Sequence, residues 1–311
     1  MKNWTPKQIK KFRKDLDMTQ TKFGDMVGVA KITVFQWERG ERKPSETARI
    51  LLSRIEETIE KKETVEIFKV DLQKEILEKF SEKERMFFIQ SSHFLNEINI
   101  LYKALLVVIV PRKYNAVERA ANYAQRLLFI RLVASKLSEG WSIIKDTYFG
   151  SALSRSLSRK INTESKSALK VLKNYFKKKN NLNIIRNKFG FHYDSEFVKK
   201  GFNKLRKADE QDLIMYLSED RGNSLYSFSD LIIHTAMAET VISTEENQPL
   251  AGESNLKPLL NEINLIYNCF QEFLIHCYVA LIEDKDLSRE LINIPKPHKF
   301  NRINFPFLMS K

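Results

Sequence analysis

Turn-forming and sulfur-bearing residues are what this sequence has least of. Nine glycines and eight prolines in 311 residues cannot supply a turn every ~8 to 12 residues, the spacing an all-β sandwich needs. An all-β protein is disfavoured and long helices are expected. The two cysteines, Cys269 and Cys277, form neither a disulfide framework nor a zinc pattern, so a reduced, intracellular protein is the simple reading. The start, MKNWTPKQIKKF, lacks the apolar run of a signal peptide, and the longest apolar run, Ala104 to Val110, is far short of the ~20 residues of a membrane span. A soluble cytoplasmic protein with no membrane partner is expected. Gly-rich phosphate loops, paired catalytic carboxylates and serine-nucleophile motifs are missing too, and neither a cofactor nor a metal is expected.

Acidic residues are scarce in one place. From Arg155 to Lys207 there are 16 Lys or Arg against three acids, Glu164, Asp194 and Glu196, a net +13 equal to the whole-chain figure. The remainder is close to neutral, so the field is concentrated in this stretch. A single-sign field of that kind makes a polyanion the expected partner, because neutralising phosphates releases condensed counterions.

A chain of this length suggests about two domains. From Thr5 to Ile59 the pattern is four short helices. Thr5 caps the first, with Pro6 at its opening position and Ile9, Phe12 and Leu16 on one face. Thr19 caps a second, Gln20 to Val27, which stops at Gly28, and a third runs from about Ala30 to Arg39 and stops at Gly40. After Pro44 and Ser45 a fourth carries Ala48, Leu51, Leu52 and Ile55 inward. Two short helices around a tight Gly turn form a helix-turn-helix arrangement.

The segment MTQTKFGDMVGVAKITVFQWERGERKPS resembles the Cro/phage-repressor (XRE-like) helix-turn-helix family, with Thr19-Gln20, Phe23-Gly24, Gly28-Val29, Thr33-Val34, Trp37-Glu38 and Gly40 in register. By that resemblance the helix from Ala30 enters the major groove of a double-stranded DNA operator. Lys31, Ile32, Phe35 and Gln36 then face bases, with Gln20, Arg39, Arg42 and Lys43 towards phosphates. Ala30 departs from the Ser or Thr often found there, which weakens this helix start. The competing reading is a protein-binding helix cluster without DNA contact.

The expected organisation is a DNA-binding domain over 1–61, a charged helical connector over 62–83, an antiparallel helical bundle over 84–295 and an extended tail over 296–311. Helical patterns run at roughly 84–110, 114–138, 163–178, 181–193, 209–217, 226–243 and 255–283, and no segment alternates convincingly with period two. The fold class is all-α. PKPHKFNRINFPFLMSK cannot be helical for most of its length and is expected to lie extended over the bundle or over a partner subunit, with ordinary packing the leading alternative.

Within 181–194, Arg186, Asn187 and His192 bring together a fixed cation, an amide and a titratable imidazole. On an ideal helix Leu182, Ile185 and Phe189 form one stripe and His192 falls close to it, so a half-buried histidine is the structural alternative. Arg186 lies roughly 9 Å along the axis from His192 at a rise of ~1.5 Å per residue. Either Gly190 loosens the last turn, or two copies of the helix face each other. Such a set suits metal-free RNA cleavage: histidine moves the 2′-hydroxyl or leaving-group proton, and arginine meets charge on the phosphoryl oxygens.

Arg186-Asn187-Lys188-Phe189-Gly190-Phe191-His192 resembles the motif of the HEPN family, an arginine, a polar residue and a histidine, here with five residues between arginine and histidine. The resemblance implies a helical, metal-independent endoribonuclease acting as a homodimer, with Arg186 and His192 catalytic, Asn187 assisting, and an RNA substrate. It also implies toxin-antitoxin or phage-defence context, with an antitoxin or defence-system partner. Lys177, Lys178, Lys179 and Lys188 form a candidate RNA track beside it, with a solvated loop as the alternative. Asp194 either orients His192 or is an ordinary helix-end acid. His276, Cys269 and Cys277 sit in an apolar helix and read as packing, as does His234. The leading reading is an operator-binding regulator joined to a ribonuclease. The other is a repressor whose bundle only dimerises or senses a ligand.

Overall fold

The computed structural model describes residues 4–16, 18–62, 64–190, 194–205, 207, 212–241, 253–284, 287–297, 303 and 305–308. The fold is all-α with one small two-stranded sheet added, and the chain divides into two compact units, 1–69 with 289–297, and 70–288 with 298–311.

The first unit is built from α1 (Pro6–Asp15), α2 (Gln20–Val27), α3 (Lys31–Arg39) and α4 (Glu46–Lys62). Local chemistry sets each boundary. Thr5 and Gln8 exchange hydrogen bonds in a capping box that opens α1, and the Thr19 side chain accepts from Lys22 N at the start of α2. Gly28 at φ 71° and Gly40 at φ 78° close α2 and α3 in the left-handed region that a Cβ disfavours. Ile9, Phe23, Val34 and Leu52 are fully buried at the centre. On α4, Ala48 and Leu52 face in as expected, but Leu51 is exposed.

Two expectations for the connector fail. Residues 64–69 are not helical: β1 (Thr64–Lys69) pairs antiparallel with β2 (Glu290–Pro295), in a register that sets Val65 opposite Ile294 and Ile67 opposite Ile292. The two apolar pairs share one face, since side chains on a strand alternate with period two. The alternation in TVEIFK and ELINIP is short, and each strand's hydrogen-bond partner lies more than 200 residues away, so neither segment is legible alone. In the rest of the connector, among the described residues, the short α5 (Lys74–Glu78) is helical and α6 (Glu82–Ile109) begins at Glu82.

The second unit contains α6 (Glu82–Ile109), α7 (Ala116–Thr147), α8 (Ala152–Lys160), α9 (Thr163–Lys177), α10 (Asn181–Ile185), α11 (Ser195–Asn203), α12 (Ser227–Val241) and α13 (Glu253–Asp284). Capping boxes at Ser81/Glu84 and Asn115/Glu118 open α6 and α7. A short loop joins these two, so they pack on each other, with α13 against α9. Phe94 meets Phe270 edge-on at 5.0 Å, and Tyr148 meets Phe273 at 5.1 Å, tying α6, α7 and α13 together. By length and composition α6 and α13 are apolar enough to cross a membrane. Here their apolar faces carry Phe87, Ile98, Ile263 and Phe270 into the shared core.

The helix expected at 209–217 is absent from residues 212–217, whose exposed stretch makes a bridge from Tyr216 to Leu225. Phe228 N and the Ser227 hydroxyl both donate to Ile214 O, bonds a local helix would have used internally. Helices α8 and α11 were not anticipated. The tail lies against α7: Arg112 donates to Ile303 O, Gln125 to Phe305 O, and Phe305 meets Phe129 edge-on at 5.4 Å.

Candidate nucleic-acid interface

The helix-turn-helix is held by a charged clamp. Arg13 of α1 reaches Glu38 of α3 with two parallel bonds, Nε to Oε1 at 2.6 Å and Nη2 to Oε2 at 3.1 Å. Its Nη1 donates to Met18 O at 2.8 Å, and Gln20 Nε2 of α2 donates to Glu38 Oε2 at 2.9 Å. The Arg13 and Glu38 side chains are 13% and 5% exposed, so this is a desolvated bidentate pair. Burial by itself would raise the Glu38 carboxyl, but the hydrogen bonds from Arg13 and Gln20 outweigh it and hold the group below its ordinary value. The clamp joins three helices and fixes the pitch of α3. Glu38 stands in the family register, but its pairing with Arg13 was not legible in the sequence, because a residue pair 25 apart leaves no periodic signature.

Around that clamp the expected DNA-facing residues separate into two groups. Lys31, Ile32, Arg39, Arg42 and Lys43 are exposed, Ile32 by 60% despite its apolar side chain. Phe35 and Gln36 are half-buried, with the Arg39 guanidinium 5.3 Å above the Phe35 ring and an Arg39–Glu41 ion pair at 2.9 Å. Gln20 belongs to the clamp through its amide. Ala30 opens α3 with extended backbone and no side-chain cap bond, as its departure from Ser or Thr implies.

The Arg186 segment is a π-turn, Arg186–Gly190, continuing α10. Leu182, Ile185 and Phe189 are buried, so the expected stripe is present. Gly190 packs so closely on α7 that a Cβ there would lie 2.5 Å from Ser135 Oγ, and this contact accompanies the widened turn. Insertions of that kind are common at functional sites. Arg186 and Asn187 line a cavity of ≈ 450 Å³ with Glu97, Lys136 and Glu139. Its two cations are each paired: Arg186 Nε and Nη2 lie 2.5 Å from Glu139 Oε1, and Lys136 Nζ lies 2.5 Å from Glu97 Oε2. Two cations against two carboxylates leave no net charge for a phosphate, despite the +13 stretch around it. His192 lies outside the described residues.

Asn187 also borders a groove with Lys179 and Lys188. Lys177, Lys178 and Lys179 are exposed. Lys188 stands 5.1 Å over the Phe197 ring and 3.9 Å from Asp194. Asp194 caps α11 by accepting from Glu196 N at 3.0 Å, the helix-end role. Cys269 and Cys277 are buried in α13, where burial pushes both thiols above their ordinary value. His276 bonds to Asn162 and to Glu272 O on its own helix. His234 is fully buried and only half satisfied: its Nδ1 bonds to the Tyr123 hydroxyl, while Nε2 has no partner among the described residues.

No curated protein and no solved structure matches the chain. Residues 9–55 match the family model described as helix-turn-helix; this segment is a helix-turn-helix domain, and on that ground the protein is a DNA-binding regulator.

Proposed function

We propose that the protein is an operator-binding transcription regulator that reads duplex DNA through α3, works as a homodimer, and carries a helical bundle that senses a small ligand. The observation that supports this best is the pairing of a rigid mount with an open face. The Arg13–Glu38–Gln20 clamp fixes α3 while Lys31 and Ile32 at its N-terminal end stay exposed. An apolar side chain left in water at that place suits contact with a thymine methyl, and Lys31 suits a base edge or phosphate. Arg42 and Lys43 in the following loop suit phosphates, which position without specifying. The test is fluorescence anisotropy with the protein's own upstream DNA and a scrambled duplex across a salt series. Gln36→Ala and Ile32→Ala are expected to weaken upstream binding by about 1 to 3 kcal/mol while sparing the scrambled duplex. Lys43→Ala is expected to weaken both and reduce the salt slope by about one. Equal affinity of the unaltered protein for the two duplexes would sink the proposal.

A second reading, a HEPN-like endoribonuclease in a toxin-antitoxin or defence setting, is supported by Arg186 and Asn187 lining one cavity on a π-turn. The Glu139 ion pair competes with it, because it already engages Nε and Nη2 of the Arg186 guanidinium. Labelled RNA incubated with protein in EDTA decides the matter. Cleavage lost in both His192→Ala and Arg186→Ala supports this reading, and absence of cleavage removes it without touching the operator assay.

A further inference from the structure

The two ion pairs that line the Arg186 cavity are made incompletely, so donors and acceptors remain open within one lining. Glu97 comes from α6, Lys136 and Glu139 from α7, and Arg186 from the π-turn, with Leu101 and Leu132 as the apolar part. Lys136 and Glu139 are three residues apart on α7, so they share one helix face. The volume, ≈ 450 Å³, lies in the range of small-molecule sites.

The Arg186–Glu139 pair differs from the Arg13–Glu38 fork. In the fork two donors meet two oxygens. Here Nε and Nη2 both lie 2.5 Å from one oxygen, Glu139 Oε1, and among the described residues Arg186 Nη1 and Glu139 Oε2 have no partner. A guanidinium carries five N–H donors and a carboxylate about four acceptor sites, so the pair keeps capacity of both kinds. The second pair repeats the pattern. Lys136 Nζ lies 2.5 Å from Glu97 Oε2, which His93 Nε2 also approaches to 3.5 Å, and Glu97 Oε1 has no partner among the described residues. The Arg186 and Glu139 side chains are 42% and 45% exposed, so a ligand can reach them.

From this we infer that the cavity binds a small apolar α-amino acid, an inference that names the ligand class of the sensing bundle proposed above and rests on that reading. The ligand carboxylate takes the open donors of Arg186 and Lys136, as charge-assisted bonds to a guanidinium favour. Its ammonium donates to the open oxygens of Glu139 and Glu97, and its side chain lies on Leu101 and Leu132. A zwitterion carries one group for each kind of open site. A molecule with only one of the two charges leaves the other kind unmet, and the loss of either set of bonds lowers affinity.

The experiment is calorimetric titration of the full chain, without DNA, with L-leucine, glycine and two leucine analogues that each lack one charge: isocaproate, without the ammonium, and isoamylamine, without the carboxylate. A negative result leaves the operator assay standing, and a failed operator assay leaves this titration standing. Leucine is expected to bind saturably at one site per chain, each analogue at least tenfold more weakly, and glycine more weakly for want of an apolar side chain. Glu139→Gln is expected to weaken leucine at least tenfold and to narrow its advantage over isocaproate. Arg186→Gln is expected to weaken leucine as much and to narrow its advantage over isoamylamine. Loss of packing alone would not change those ratios, and the analogue series on the unaltered protein tests the inference even if a variant fails to fold. The inference is overturned by no saturable leucine binding, by glycine or either analogue binding as tightly as leucine, or by leucine affinity unchanged in both Glu139→Gln and Arg186→Gln.

Discussion

Glu38 accepts both donors of one face of Arg13, at 2.6 and 3.1 Å, and is almost wholly removed from water in doing so. Removing one partner strands the other's charge in the interior, which commonly costs about 3 to 5 kcal/mol. Arg13→Ala is therefore expected to destabilise the N-terminal unit by about 3 kcal/mol, read as a fall in urea midpoint by the fluorescence of Trp4 and Trp37. A loss below about 1 kcal/mol would class the pair with exposed ones. Because the Glu38 carboxyl is held below its ordinary value, its contribution is complete above the unfolded carboxylate range. It disappears as pH falls through the depressed value.

Ala30 already has the extended backbone of an N-cap, φ −65° and ψ 150°, but no side-chain acceptor. Ala30→Ser supplies one for an unsatisfied N–H of the first turn. The expected gain is about 1 kcal/mol, measured as a raised urea midpoint. No gain would mean that those N–H groups are satisfied in another way.

At the π-turn, Gly190 and Ser135 leave no room for a methyl group. Gly190→Ala is expected to cost about 1 to 3 kcal/mol through overpacking. Ser135→Ala removes a buried hydroxyl that has no partner among the described residues, so it should be close to neutral alone. Combined, the two changes should recover most of the loss, since the next atom is Ser135 Cβ at 3.5 Å. Simple addition of the single effects in thermal unfolding would show that the clash is not with that hydroxyl.

Burial pushes His234 down to about 4 from an ordinary 6.5. The unfolded chain therefore binds a proton that the native chain refuses between those values, and stability falls as pH drops from 6.5 to 4. The loss levels off below that, after about 3 kcal/mol. His234→Phe removes the titration and places a larger ring in a fully buried site. Its absolute stability should be lower, because the Tyr123 hydroxyl loses its partner. The diagnostic is the slope of unfolding free energy between pH 6.5 and 4, which should flatten; an unchanged slope would assign the proton uptake to other groups.

Helix starts in the first 60 residues were legible because their causes are local. Thr5, Thr19, Gly28 and Gly40 act on backbone groups within four residues. The stripe Leu182, Ile185, Phe189 was legible for the same reason, since period alone assigns its face. The β1–β2 pair was not, because its hydrogen bonds join positions more than 200 residues apart. The widened turn at Arg186–Gly190 was foreshadowed only by Gly190, whose contact with Ser135 is tertiary.

The amino-acid order alone determined a helical chain, a helix-turn-helix near its start and a basic stretch from 155 to 207, because composition, caps and periodicity act over one or two turns. Only the tertiary structure decided how each cation is paired. Arg186 and Lys136 meet Glu139 and Glu97 on neighbouring helices, while Arg112 and Arg119 rest on backbone carbonyls. The reason is that a side chain's charge is written in the sequence, whereas its neutralisation depends on which helix face packs opposite.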